Sequence, residues 1–290
     1  LTETGCIYQA DPILPFTSAQ KDTGIIDTIN LPRDTLKRIT GDCDDLTVLY
    51  ISILETLGIE SGFITVPGHI YPVVNTGIPA RHYRKIHPGR SMTINNNGTL
   101  WVPVEVTMIG KGNFIKAWEA GAREWVSWEE RQEIRKFYIT KEAQTLYRPV
   151  GLKKTDMVFS FGNSSSIGRR FEENITLLSG VVIREFLRTA EESMQKSDFN
   201  KLGIAYANFN KPGKAEEAFR AAVNLDPGYS LAVINLGNLF FQTGRYENAL
   251  TQYFLALEGL KPTDTVPSPA YLKLLLKISV VYYQLEQYNE

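Results

Sequence analysis

Thr40-Gly41-Asp42-Cys43-Asp44-Asp45-Leu46 is the stretch whose reading decides this chain. Beyond it, apolar residues at Leu46, Leu49, Tyr50, Ile53 and Leu57 follow helical spacing, and Val48, Ile51 and Leu54 make the remaining faces apolar. The pattern predicts a helix buried on most sides. Asp42 suits the N-cap, Asp45 follows three residues later, and Gly58 sits where a left-handed C-terminal cap is wanted. With those caps the Cys43 thiol stands at the positive end of the helix dipole. There a thiolate is favoured and backbone N–H groups face a developing oxyanion. Asp42, Asp44 and Asp45 oppose thiolate formation. A reactive Cys43 therefore requires a nearby cation, and an inert one would be a small buried hydrophobe.

Outward from this helix, a short helix over Arg33 to Arg38 precedes it, after turns at Asp11-Pro12, Leu14-Pro15 and Asn30-Leu31-Pro32. Strands follow at Gly62 to Val66 and His69 to Asn75. Residues 76–90 carry Arg81, His82, Arg84, Lys85, His87 and Arg90 among Pro and Gly, and read as a mobile basic loop, solvated in the first reading and a guide for an acidic peptide in the second. Ser91 to Ile94 then leads into a turn over Asn95-Asn96-Asn97-Gly98 and a strand over Thr99 to Val106, a hairpin signalled by Asn-Gly. Helices are expected over Phe114 to Ala120 and Ser127 to Phe137.

A thiol nucleophile needs a base within reach and a group to orient that base. Of three histidines, His69 opens a strand beyond the cysteine helix and can face back toward its N-terminus. His82 and His87 belong to the basic loop. Glu105, mid-strand between Val104 and Val106, would be costly if it pointed inward unpaired. Pairing with His69 satisfies both groups and favours the imidazolium that Cys43 needs.

Gly41-Asp42-Cys43-Asp44-Asp45, then Gly68-His69, then Trp101-Val102-Pro103-Val104-Glu105-Val106-Thr107 resembles the transglutaminase-like superfamily of papain-type cysteine enzymes. Tyr8 to Thr35, with Asp11 and Pro32-Arg33-Asp34-Thr35-Leu36, resembles the bacterial transglutaminase-like cysteine proteinases. The likeness spans roughly residues 8–110. It implies an α+β, papain-like domain in which the cysteine helix packs on an antiparallel sheet, with a Cys43-His69-acid triad. That family usually carries aspartate at the third position, where this chain has Glu105. Tyr8 and Gln9 are oxyanion candidates by position. Some relatives bind calcium through acids flanking the cysteine, and Asp42 and Asp44 fit that type, beside their capping role. No cofactor is otherwise required.

From Arg169 onward the pattern is helical. Leu202-Gly203, Tyr206, Ala215, Phe219, Ala222 and Pro227 recur as Leu236-Gly237, Phe240, Ala249, Tyr253, Ala256 and, one residue late, Pro262: a 34-residue period. This resembles the tetratricopeptide repeat, with a third copy starting near Leu272, after an insertion around Pro267 and Pro269, and reaching only its first helix by Glu290. The helix over Arg169 to Met194 should cap the first repeat. By the repeat's pattern, Asn200, Asn208, Asn235, Asn238 and Gln242 face the binding groove. They lack the cations of a carboxylate clamp.

Three parts are thus expected: a transglutaminase-like enzyme domain over 1–150, a linker over 151–168 and a repeat domain over 169–290. The composition is 43% hydrophobic and 22% charged, with a net charge of -1, so no basic excess points to nucleic acid. No apolar run reaches the length of a membrane span. Cys6 and Cys43 are too few for a disulfide framework and are read as free thiols. The chain begins without an initiator and ends inside a repeat, as expected of a segment cut at both ends. The resemblance favours a bacterial cell envelope or periplasm over cytoplasm. The expected activity is a thiol peptidase or amidase on a protein or peptide amide, with repeats recruiting a protein partner. The alternative is an inactive transglutaminase-like scaffold for protein–protein interaction.

Overall fold

The computed structural model describes residues 1–10, 28–131, 134–149, 163–260 and 267–288. In chain order the elements are β1 (Ile7–Tyr8), α1 (Pro32–Arg38), β2 (Thr40–Gly41), α2 (Cys43–Thr56), β3 (Ser61–Val66), β4 (His69–Pro79), β5 (Ile94–Asn96), β6 (Thr99–Pro103), α3 (Phe114–Glu130), β7 (Lys136–Ile139) and α4 (Thr140–Leu146). The helices α5 (Ser164–Ser193), α6 (Lys196–Asn208), α7 (Pro212–Leu225), α8 (Ser230–Gln242), α9 (Tyr246–Gly259) and α10 (Pro269–Tyr288) follow. The chain divides into two compact units, Leu1–Leu178 and Ser179–Glu290, with the division inside α5. Ser164 to Gly168, expected in a linker, open that helix instead. Residues 151–162 of that linker, and the turns at Asp11-Pro12 and Leu14-Pro15, lie outside the described residues, as does Pro262.

The first unit is α+β. Its five-stranded sheet is antiparallel, in the order β5-β6-β4-β3-β7. One face buries Ile64, Tyr71, Val73 and Trp101, with Trp125 and Phe137 packed on them. The other buries Val102 and Val104 against Ile115, Trp118 and Ala122 of α3, with Tyr50 of α2 alongside. Each such side chain contributes roughly 1.5–3 kcal/mol by leaving water. At Gly121 a Cβ would stand 2.9 Å from the Pro103 carbonyl carbon, so α3 lies as close to β6 as a glycine allows.

The Asn-Gly signal holds: Asn96 pairs with Thr99, and Asn97 and Gly98 take φ of 49° and 81°, the left-handed pair that a two-residue hairpin turn needs. The remaining local expectations need four corrections. Phe114–Glu130 is a single helix, and Phe137 belongs to a strand, β7, whose rings stack on β3 with Phe63 and Tyr138 centroids 5.0 Å apart. β6 stops at Pro103: Val104 still donates to Pro72 of β4, but Glu105 turns its N–H to Ala117 of α3. The basic segment is built, with β4 running to Pro79 and 3-10 turns over Ala80–Lys85 and Arg90–Met92. His87 is half-buried, its Nδ1 accepting from the Gly89 N–H at 3.0 Å and its ring edge-on to Trp118. Burial holds it below the usual imidazole range.

The second unit is all helical. Ile183 and Ala190 of α5 are buried with Leu202 and Ala218, so α5 covers the first helix pair. Leu274, Ile278 and Val281 of α10 join the core of Leu236, Phe240 and Tyr253. The 34-residue period is visible as one contact made twice. A Cβ at Gly203 would stand 2.5 Å from the Phe219 ring, and one at Gly237 would stand 2.6 Å from the Tyr253 ring.

Candidate functional site

The turn before α2 is held from three sides. β1 and β2 pair in parallel, Ile7 with Thr40 and Tyr8 with Gly41, which anchors the backbone before the cysteine. Gly41 has no room for a side chain, since a Cβ would stand 2.7 Å from that of Asp45. The Asp42 side chain caps the helix by accepting from the Asp45 N–H at 3.2 Å. Asp45 is buried and grips the preceding segment, accepting from both the backbone N–H and the side-chain amide of Asn30 at 2.6 Å. Cys43 follows as the first helical residue, a half-buried free thiol, whereas Cys6 is a buried free thiol.

His69 opens β4 directly after the two-residue turn Pro67-Gly68, where Gly68 takes φ of 74°. Its ring lies between two partners. Nε2 meets Glu105 Oε2 at 2.7 Å, and the Cys43 side chain is near enough to act on the same ring. Burial pushes the imidazole down, but the hydrogen bonds and charges of Cys43 and Glu105 outweigh it and lift His69 to about 10. For Glu105, burial pushes upward, and His69 together with Thr107 hold the carboxylate below its usual range. The ring of Tyr71, two residues along the same strand face, stacks on His69 with centroids 5.7 Å apart.

Glu105 is not the mid-strand residue that alternation suggests. It caps a short 3-10 turn over Val106–Met108, its Oε1 accepting from the Thr107 N–H at 3.0 Å and hydroxyl at 2.6 Å. One carboxylate oxygen is thereby fixed by Thr107, and the other is aimed at His69. Thr107 is the residue that strand periodicity conceals, and its signal is an acid two positions before a threonine in a turn.

Of the two oxyanion candidates, Tyr8 is brought to the site. Burial, then the charges of Cys43, Asp42 and Glu105, push its hydroxyl upward, and Lys111 Nζ sits 4.8 Å from its ring centroid. Gln9 is turned to other work: its N–H donates to Gly41 O at 3.0 Å and its side-chain oxygen accepts from the Thr40 hydroxyl at 3.1 Å.

Asp42, Asp44 and Asp45 place one carboxylate oxygen each within 4.8 Å of one another. Calcium takes six to eight oxygens. Here both Asp45 oxygens are committed to Asn30, and Asp42 and Asp44 each accept from the Asp45 N–H, at 3.2 and 2.7 Å. Such a donor set fits capping and not a calcium cage.

In the helical unit, Asn200 is buried and accepts from the Asn235 amide at 2.9 Å, and Asn238 accepts from the Tyr253 hydroxyl at 2.8 Å. These asparagines tie neighbouring helices together. Asn238 and Gln242 also line a groove of about 470 Å³ with Phe241, Leu276, Lys277 and Val280. Asn208 is exposed and is not among the residues lining that groove.

Residues 200–265 match the family model described as tetratricopeptide repeat. The chain is similar to the type III secretion translocator chaperone SycD of Yersinia enterocolitica, at 12% identity over 43% of this chain and 89% of that one, TM-score 0.34. It is also similar to the Sgt2 repeat domain of Aspergillus fumigatus, at 20% identity over 44% and 83%, TM-score 0.33. A third similar structure is the second repeat domain of human RPAP3 in complex with an HSP70 peptide, at 18% identity over 41% and 91%, TM-score 0.31. No curated protein sequence matches the chain. Residues 200–265 are thus tetratricopeptide repeats, a module for protein–protein interaction, and the cysteine-bearing unit lies outside that match.

Proposed function

We propose that the chain is a transglutaminase-like, papain-type thiol hydrolase, a peptidase or amidase, whose repeats recruit a protein partner. One observation supports this above the rest: the His69 ring stands between a cysteine at a helix N-terminus and a carboxylate fixed by Thr107. In this reading Cys43 Sγ attacks the amide carbonyl carbon, and the developing oxyanion forms at the N-terminus of α2. His69 passes its proton to the leaving nitrogen as the C–N bond breaks, leaving a thioester on Cys43. Water then gives a proton to His69 and attacks the thioester, releasing the acid and the thiol. Glu105 accepts from Nε2–H throughout and keeps Nδ1 directed at the sulfur. Tyr8 borders the oxyanion position, and Gln9 holds β2. Hydrolysis is preferred to transfer because water is the default acceptor and nothing marks an amine site.

The test is acylation of the intact chain by p-nitrophenyl acetate at neutral pH, followed by peptide mass spectrometry. Cys43 is expected to carry the acetyl group while Cys6 stays unmodified, with p-nitrophenol continuing to appear as the thioester turns over. Equal labelling of the two thiols, or no labelling of Cys43, would leave the scaffold reading in its place.

A further inference from the structure

We propose that the basic turns between β4 and β5 form a docking site for a carboxylate-rich segment of a protein partner, separate from Cys43. Residues 61–104 contain no aspartate or glutamate, in a chain whose net charge is -1. Into that stretch fall Arg81, Arg84, Lys85 and Arg90, all exposed. Elsewhere some cations are matched, with Arg170, Arg188, Lys196, Arg220 and Arg245 each pairing with a carboxylate. Among the described residues, the four basic side chains of these turns form no salt bridge. The hydrogen bonds of Arg81 and Arg84 go to His82 and Tyr83. Four uncompensated positive charges are therefore concentrated on one surface.

That surface is presented on a constructed platform. The Ala80 N–H donates to Gly98 O at 2.8 Å, and the Ile86 and His87 N–H groups both donate to Tyr83 O. Ile86 and Met92 pack inward against the cluster around Trp118. The guanidinium carbons of Arg84 and Arg90 lie 5.7 and 5.9 Å from the Tyr83 ring centroid, so one ring holds two guanidinium forks that bind carboxylates in a bidentate manner. β4 is 11 residues long, His69 opens it, and these turns begin beyond its other end, at Ala80. The site therefore acts by holding or steering a partner and does not depend on the chemistry proposed for Cys43.

The ligand chemistry follows from what the turns lack. With Ile86 and Met92 directed inward, no large apolar side chain is offered for insertion into a lipid surface. Tyr83, the segment's single tyrosine, phenylalanine or tryptophan, is already engaged by two arginines, and base stacking on a single strand needs a free aromatic face. Carboxylates of an extended acidic peptide fit two forks braced on one ring.

The experiment is a fluorescence-anisotropy titration of the full chain with a short fluorescein-labelled polyglutamate peptide at low and at physiological salt. The wild-type chain is expected to bind the peptide, more weakly as salt rises. The double variant Arg84→Glu with Arg90→Glu should lose about tenfold or more in affinity, with Cys43 acylation unchanged. Arg84→Gln with Arg90→Gln, the milder pair, keeps the comparison valid if charge reversal impairs folding, and it should weaken binding in the same direction. Absence of binding at low salt would overturn the proposal, as would unchanged binding in the neutral variant. So would tighter binding of a single-stranded oligonucleotide or of phosphatidylserine vesicles than of the peptide.

Discussion

A His69→Gln variant is expected to form the acyl-enzyme on Cys43 about 10²–10⁴-fold more slowly than the wild type, the usual worth of a positioned acid–base group. The reason lies in the three-group geometry. Cys43 shares its end of α2 with Asp42, Asp44 and Asp45, and in the proposed mechanism the imidazole of His69 supplies the cation against the thiol. Glutamine fills similar space and makes hydrogen bonds, but it cannot carry the charge or exchange the proton. Glu105→Gln acts in the same direction by a different route. It leaves the imidazole in place and removes the charge across the 2.7 Å contact that favours imidazolium and fixes the ring. Stopped-flow release of p-nitrophenol under single-turnover conditions measures both. A His69→Gln rate equal to wild type would remove His69 from the mechanism.

Gly237→Val is expected to destabilise the helical unit by about 1–3 kcal/mol or more, the usual cost of overfilling a packed core. A Cβ at this position meets the Tyr253 ring at 2.6 Å, where no ordinary contact is tolerated. The ring cannot retreat freely, because its hydroxyl is tied to Asn238 across the helix pair. Gly180→Ala supplies the contrast. It is also mid-helix, a Cβ there meets nothing within 4 Å, and gaining helix propensity should leave stability unchanged or raise it. Thermal melts followed by circular dichroism distinguish the two. Equal melting temperatures for Gly237→Val and wild type would mean that the glycine does not set the helix spacing.

What was legible in the sequence was what short-range physics determines. The Asp42 cap, the glycine after α2 and the Asn97-Gly98 turn each rest on a few adjacent residues. The repeat was legible because its small-against-aromatic contact recurs at a fixed interval. Three features escaped through long-range pairing, and a fourth, Thr107, through a local turn. β7 hides in a segment of helical spacing, and its identity is decided by β3, more than seventy residues earlier. Glu105 leaves its strand as its N–H donates to Ala117 of α3. Gln9 looks like an oxyanion donor by position, yet the β1–β2 bridge turns it toward Thr40. The pairing of His69 with Glu105 was readable in advance because an inward carboxylate demands a partner. Thr107, which aims that carboxylate, was not.

The measurement that bears most directly on the central claim is an NMR titration of the His69 imidazole, in the wild-type chain and in Cys43→Ala and Glu105→Gln. In the wild type, His69 should remain protonated through neutral pH and titrate at about 10. In each variant one of the groups that oppose burial is lost, and the titration should move down toward the ordinary value of 6.5. A wild-type His69 that titrates at or below 6.5, unmoved by either substitution, would contradict the account.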